Sequence, residues 1–143
     1  MDCYALTNFS IPETVRSIGG ACFYYCKSLK TINIPYGVTE LPATEVYFYD
    51  YNYMGYGYKQ SYLGSGGCFY GCESLEAVTI PSSVVSMGYA SFSGCNSLKS
   101  VNLPTTITNL DRSFFSGCKS LSSIIHKALH GNEDIRFSSF IFI

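Results

Sequence analysis

Four columns of the sequence return with a period of 23 residues. Ile11-Pro12, Ile34-Pro35, Ile80-Pro81 and Leu103-Pro104 lie 23, 46 and 23 residues apart. Phe23, Phe69, Phe92 and Phe115 keep the same phase, and so do Cys26, Cys72, Cys95 and Cys118. Each of these cysteines is followed by x-Ser-Leu, ending at Leu29, Leu75, Leu98 and Leu121. A unit this short cannot bury its apolar side alone, so such a chain folds by stacking equivalent units into a solenoid. One period before Cys26, Leu29, Ile32 and Ile34 stand Cys3, Leu6, Phe9 and Ile11, so the chain opens inside a repeat.

Within each unit, Leu-x-x-Ile/Val-x-Ile/Leu-Pro alternates at its last two apolar positions and reads as a short strand with one buried face. Proline cannot donate to a ladder and therefore marks the strand's exit. A second apolar pair then turns inward: Val15 and Ile18, Val38 and Leu41, Val84 and Met87, Ile107 and Leu110. Gly19 and Gly88 follow where a tight bend is expected. The phase predicts five parallel strands, at residues 6 to 11, 29 to 34, 75 to 80, 98 to 103 and 121 to 125, about 4.8 Å apart. At 143 residues the chain is expected to form one domain, residues 1–143, mostly strand and loop.

These columns resemble the BspA-type leucine-rich repeats of bacterial and protist surface proteins, whose pattern runs Ile-Pro-x-x-Val-x-x-Ile-Gly-x-x-Ala-Phe-x-x-Cys-x-x-Leu. The resemblance covers about residues 3 to 125, apart from 42 to 66. Where the pattern has Ala, this chain has Cys22, Cys68, Ser91 and Phe114. The resemblance implies a curved, right-handed leucine-rich-repeat coil with a parallel β-sheet on its concave face. It further implies no catalytic residues, a role in adhesion or protein recognition, and a cell-surface or secreted location.

The repeat is interrupted between Leu41 and Phe69, where 27 residues replace the four that separate Ile18 from Phe23. The excess equals one period, yet the phase-matched positions hold Asn52, Gly55, Gly57, Ser61 and Gly64, which argues against a further coil. Glu45 to Tyr53 alternates strictly, with Tyr47, Tyr49, Tyr51 and Tyr53 on one parity, continued by Tyr56, Tyr58 and Tyr62. A turn around Asn52, Gly55 and Gly57 would fold residues 42–66 into a tyrosine-rich hairpin. Such a face either recognises a partner, tyrosine offering a large amphipathic contact area with few torsions to freeze, or packs on the solenoid flank, and a mobile loop of low order is the third reading of the segment.

The strand positions between inward residues form a second candidate surface. They expose Asn8 and Ser10, Thr31 and Asn33, Ala77 and Thr79, Ser100 and Asn102, and Ser123 and Ile125. Small neutral residues suit hydrogen bonding to a protein or glycan and exert no long-range steering. Nine Lys plus Arg against ten Asp plus Glu leave a net charge of −1 with no basic cluster, so nucleic acid is not expected as a partner. No apolar run approaches the roughly 20 residues of a membrane-spanning helix, and residues 1–20 lack the basic start and apolar core of a secretion signal.

Catalytic and metal-binding candidates are few. Cys22 with Cys26 and Cys68 with Cys72 are Cys-x-x-x-Cys pairs, but the repeat itself explains one member of each, and no metal or other cofactor is expected. The histidines, His126 and His130, lie beyond the last clear strand, and His126 reads as part of a frayed final coil rather than a base. The column of Cys3, Cys26, Cys72, Cys95 and Cys118 reads as an inward ladder of small apolar side chains. A serine at position 95 would cost roughly 1–3 kcal/mol if no acceptor lay near, and an alanine less. Residues 126–143 read as a degenerate repeat or cap. Ile135, Phe137, Phe140, Ile141, Phe142 and Ile143 would cover the last coil or, alternatively, join two copies edge to edge.

Overall fold

The computed structural model of the chain describes residues 3–51, 58–108, 110 and 112–126. Its principal sheet contains β1 (Asn8–Ser10), β2 (Thr31–Asn33), β6 (Ala77–Thr79), β8 (Ser100–Leu103) and β9 (Ser123–His126), all parallel and in that order. The register follows the repeat: Asn8 pairs with Thr31, Thr31 with Ala77, Ala77 with Ser100 and Ser100 with Ser123. One pairing spans 46 residues instead of 23. The second coil therefore stacks directly on the third, and the extra period adds sequence without adding a layer. A short second sheet, β3 (Glu40–Leu41) with β7 (Ser86–Met87), bridges the same two coils.

The extra period forms β4 (Thr44–Tyr51) and β5 (Tyr58–Gly66), paired antiparallel. Glycine spacing lets this ribbon leave the stack. A Cβ on Gly88 would lie 2.1 Å from the Ala43 nitrogen, and one on Gly20 would lie 2.9 Å from the Thr44 Cβ. The ribbon's first residues thus pass between two glycines. Gly88 was expected at a tight bend, but the left-handed glycines are Gly37, Gly71, Gly94 and Gly117. What Gly88 supplies is room for a neighbouring backbone.

Inside the coil, the alternation read from the sequence holds. Ile32, Val78, Val101 and Ile124 are buried at the strand centres while their neighbours face solvent, Ser100 being half-buried. The phenylalanine column is a continuous stack, with Phe23 on Phe69 at 5.6 Å, Phe69 on Phe92 at 5.4 Å and Phe92 on Phe115 at 5.7 Å, all within 5° of parallel. Phe9, at the centre of β1 opposite Ile32, is the exception to the buried strand centres: it is 43% exposed, and its ring tilts 52° from Phe23.

The cysteine column stands beside that stack for a reason beyond size. The thiols of Cys72, Cys95 and Cys118 donate to the carbonyls of Phe23, Phe69 and Phe92 in the preceding coil, at 3.1, 3.2 and 3.0 Å. Each of these carbonyls also accepts from the backbone N–H of the cysteine three residues on. Cysteine is thus a small apolar filler that still offers a weak donor. An acceptor, Phe69 O, therefore lies beside Cys95, so the condition for the full cost of a serine there is not met. All seven cysteines are free thiols.

The last coil is better formed than its sequence implies. β9 extends through His126, which pairs in register with Leu103, and the imidazole is buried with Nε2 2.9 Å from the Ile107 carbonyl. His126 thus occupies an inward strand position rather than a frayed end. The expected cap at 135 to 143 lies outside the described residues.

Candidate functional site

The principal sheet presents two rows of small side chains. One row runs Asn8, Thr31, Ala77, Ser100, Ser123 and the other Ser10, Asn33, Thr79, Asn102, Ile125, each pairing with its neighbour across the ladder. All are exposed except the half-buried Ser100. Thr31 Oγ1 donates to Asn8 Oδ1 at 3.1 Å, one hydrogen bond between neighbours within the first row. None of these ten residues is ionisable. The surface can exchange hydrogen bonds with a neutral partner, and its ten residues include no carboxylate, imidazole, thiol or amine side chain.

The ribbon places Tyr47 opposite Tyr62, Tyr49 opposite Gln60 and Tyr51 opposite Tyr58. These five tyrosines fall on one parity of the pairing, despite a register irregularity between Val46 and Tyr47. Tyr53 and Tyr56 lie outside the described residues. The sheet rows and the ribbon are thus separate elements, and the backbone brings neither set of candidates onto the other.

The thiols are arranged for packing rather than chemistry. Burial pushes Cys68 up to about 11 and Cys118 up to about 12, and it raises Cys72 and Cys95 as well. A reactive cysteine needs the opposite shift, towards thiolate near neutral pH. Cys22 is exposed, but partial burial and then Cys3 raise its pKa too. No group of three or more His, Cys, Asp or Glu among the described residues could hold a metal ion. A cleft of about 210 Å³ beneath β7 is lined by Val85, Ser86, Met87, Tyr89, Thr106, Ile107, Thr108 and Phe114, without carboxylate, imidazole or thiol.

One surface escaped the sequence reading. Tyr24 and Tyr70, 46 residues apart and in the same phase, stack at 5.1 Å, and Tyr25 meets both edge-on, at 4.9 and 5.7 Å. Lys27 lies 5.5 Å from the Tyr25 ring centre and pairs with Glu73 at 2.9 Å. The available signal was the repeat phase itself, read at the two positions before each ladder cysteine.

Comparison with known proteins agrees with this geometry. A family described as BspA type leucine-rich repeat region matches residues 1–53 and 63–141 in six copies. Among solved structures, a leucine-rich repeat protein from Eubacterium ventriosum is 28% identical with a TM-score of 0.56, over 84% of this chain and 26% of its own. The Treponema pallidum leucine-rich repeat protein is 25% identical with a TM-score of 0.53, over 85% of this chain and 57% of its own. A leucine-rich cell surface protein from Faecalibacterium prausnitzii shares the fold at 21% identity and a TM-score of 0.59, over 87% of this chain and 33% of its own. The chain thus spans between a quarter and somewhat more than half of these structures. A search of the curated proteins found no match.

Proposed function

The chain belongs to the BspA-type leucine-rich repeat family, and from that premise we propose that it is a non-catalytic interaction module of adhesion type, binding protein or glycan. The observation that carries this reading is the solvent face of the five-stranded sheet. It offers two rows of neutral residues, eight of the ten with hydrogen-bonding side chains, on a backbone fixed by in-register stacking. A rigid, uncharged polar surface loses little entropy on binding and depends on complementarity rather than steering. The ribbon adds a second contact element, its tyrosines set in register on one parity. Cell-surface or secreted placement accords with the family. A second reading, a spacer within a longer array, is favoured by the quarter to one third of the chain length that two of the solved structures share with it.

A protein and glycan array separates the two. The interaction module captures at least one ligand, and replacing Tyr49, Tyr51 and Tyr53 with serine abolishes capture through the ribbon with the melting temperature nearly unchanged. Absence of any ligand favours the spacer. A large fall in melting temperature in the triple variant assigns the ribbon to packing instead.

A further inference from the structure

Immediately before the ladder cysteine, three coils hold glycine in the left-handed region, Gly71 at φ 72°, Gly94 at 77° and Gly117 at 77°. The second coil holds Tyr25 there, at φ 54°. A side chain in that region is strained, and such strain persists where surrounding contacts hold it and often where a ligand is engaged. Glycine would make the same turn without strain. The Tyr25 ring lies over Gly71, where a Cβ would come within 2.9 Å of it.

That ring belongs to a patch confined to the two coils that flank the ribbon. Tyr24, Tyr25 and Tyr70 are half-buried and in mutual contact. In the later coils the phase of Tyr24 and Tyr70 is taken by Ser93 and Ser116. The Tyr70 ring also reaches the base of the ribbon, since a Cβ on Gly66 would meet it at 2.7 Å.

We propose that Tyr24, Tyr25 and Tyr70 form a platform for a neutral oligosaccharide, with the Lys27–Glu73 pair supplying a donor and an acceptor to its hydroxyls. This rests on the interaction-module reading and gives it a ligand class and a site. Tyrosine faces match the C–H face of a pyranose ring, and amphipathic rings serve a ligand that is apolar on one side and polar on the other. The only charges among the patch residues cancel, Lys27 against Glu73 at 2.9 Å.

The absence of tryptophan makes tyrosine fluorescence a direct readout of the full chain. The probes are cellohexaose, laminarihexaose, mannohexaose and N-acetylchitohexaose, with a heparin hexasaccharide as the anionic comparison. Two variants import residues that the same phase already accommodates, Tyr25→Gly and Tyr24→Ser. At least one neutral hexasaccharide is expected to bind the wild type. Each variant is expected to weaken that binding at least tenfold, with the melting temperature of Tyr25→Gly no lower than that of the wild type. The platform is overturned if no neutral hexasaccharide binds, if both variants bind as the wild type does, or if only the heparin fragment binds. Capture of array ligands that survives both flank variants leaves the interaction-module reading standing without this site.

Discussion

Raising the pH from 7 to 10 is expected to remove about 4 kcal/mol of folding stability through two buried thiols, Cys68 and Cys118, and Cys26, Cys72 and Cys95 add loss in the same direction. A cysteine in the unfolded chain titrates at about 8.5, whereas burial raises Cys68 to about 11 and Cys118 to about 12 and pushes the other three upwards. Below about pH 8.5 both states keep the proton and the ladder's contribution is complete. Above it the unfolded chain releases protons that the folded chain holds, so stability falls with rising pH until the folded thiols ionise in turn. Cys68 and Cys118 then each lose roughly 2 kcal/mol between pH 7 and 10. Against the roughly 5–15 kcal/mol typical of a domain, about 4 kcal/mol from these two alone is a large share. Urea titrations at pH 7 and 10 measure it, and Cys118→Ala should lessen the pH-dependent loss by about 2 kcal/mol. Equal urea midpoints at the two pH values would show that the column is open to water.

Phe92→Ala should cost about 3–5 kcal/mol, which for a chain of this size lowers the melting temperature by roughly 10–15 °C. The ring is fully buried between Phe69 and Phe115, and it also touches Phe114 at 6.0 Å. Removing it opens a void in the middle of the stack that rings fixed on both sides cannot fill. Phe9→Ala provides the contrast, because Phe9 is 43% exposed and has the single ring neighbour Phe23 among the described residues. It should cost about 1 kcal/mol. Calorimetry of both variants measures the difference, and similar losses at the two positions would mean that the rings contribute independently rather than as a stack.

Much of this architecture was legible because a solenoid repeats each physical demand at a fixed phase. The proline column marks where strands stop, the leucine and isoleucine columns mark the inside, and the strand register equals the repeat period. The ribbon was legible from the same arithmetic, since Asn52, Gly55, Gly57, Ser61 and Gly64 fail the inward positions while the tyrosines alternate. What was not legible depends on contacts between coils. The acceptor for Cys95 is a backbone carbonyl 26 residues earlier, which no side-chain pattern reveals. Gly88 looks like a bend in its own coil, yet it makes room for Ala43 of another. His126 breaks the apolar pattern but still takes the inward position, because the Ile107 carbonyl meets its ring nitrogen. Tyr25 was missed because its importance lies in replacing glycine within a column that also has to be read for backbone angle.

The claim on which the whole account rests is that the cysteine column faces inward while the strand residues between the buried positions face solvent. Iodoacetamide labelling of the native chain at neutral pH, read cysteine by cysteine by mass spectrometry, tests it most directly. Cys22, which is exposed, should label first, with the half-buried Cys3 slower. Cys26, Cys68, Cys72, Cys95 and Cys118 should label only after unfolding. Labelling of Cys72, Cys95 or Cys118 in the native chain at the rate of Cys22 would contradict the account.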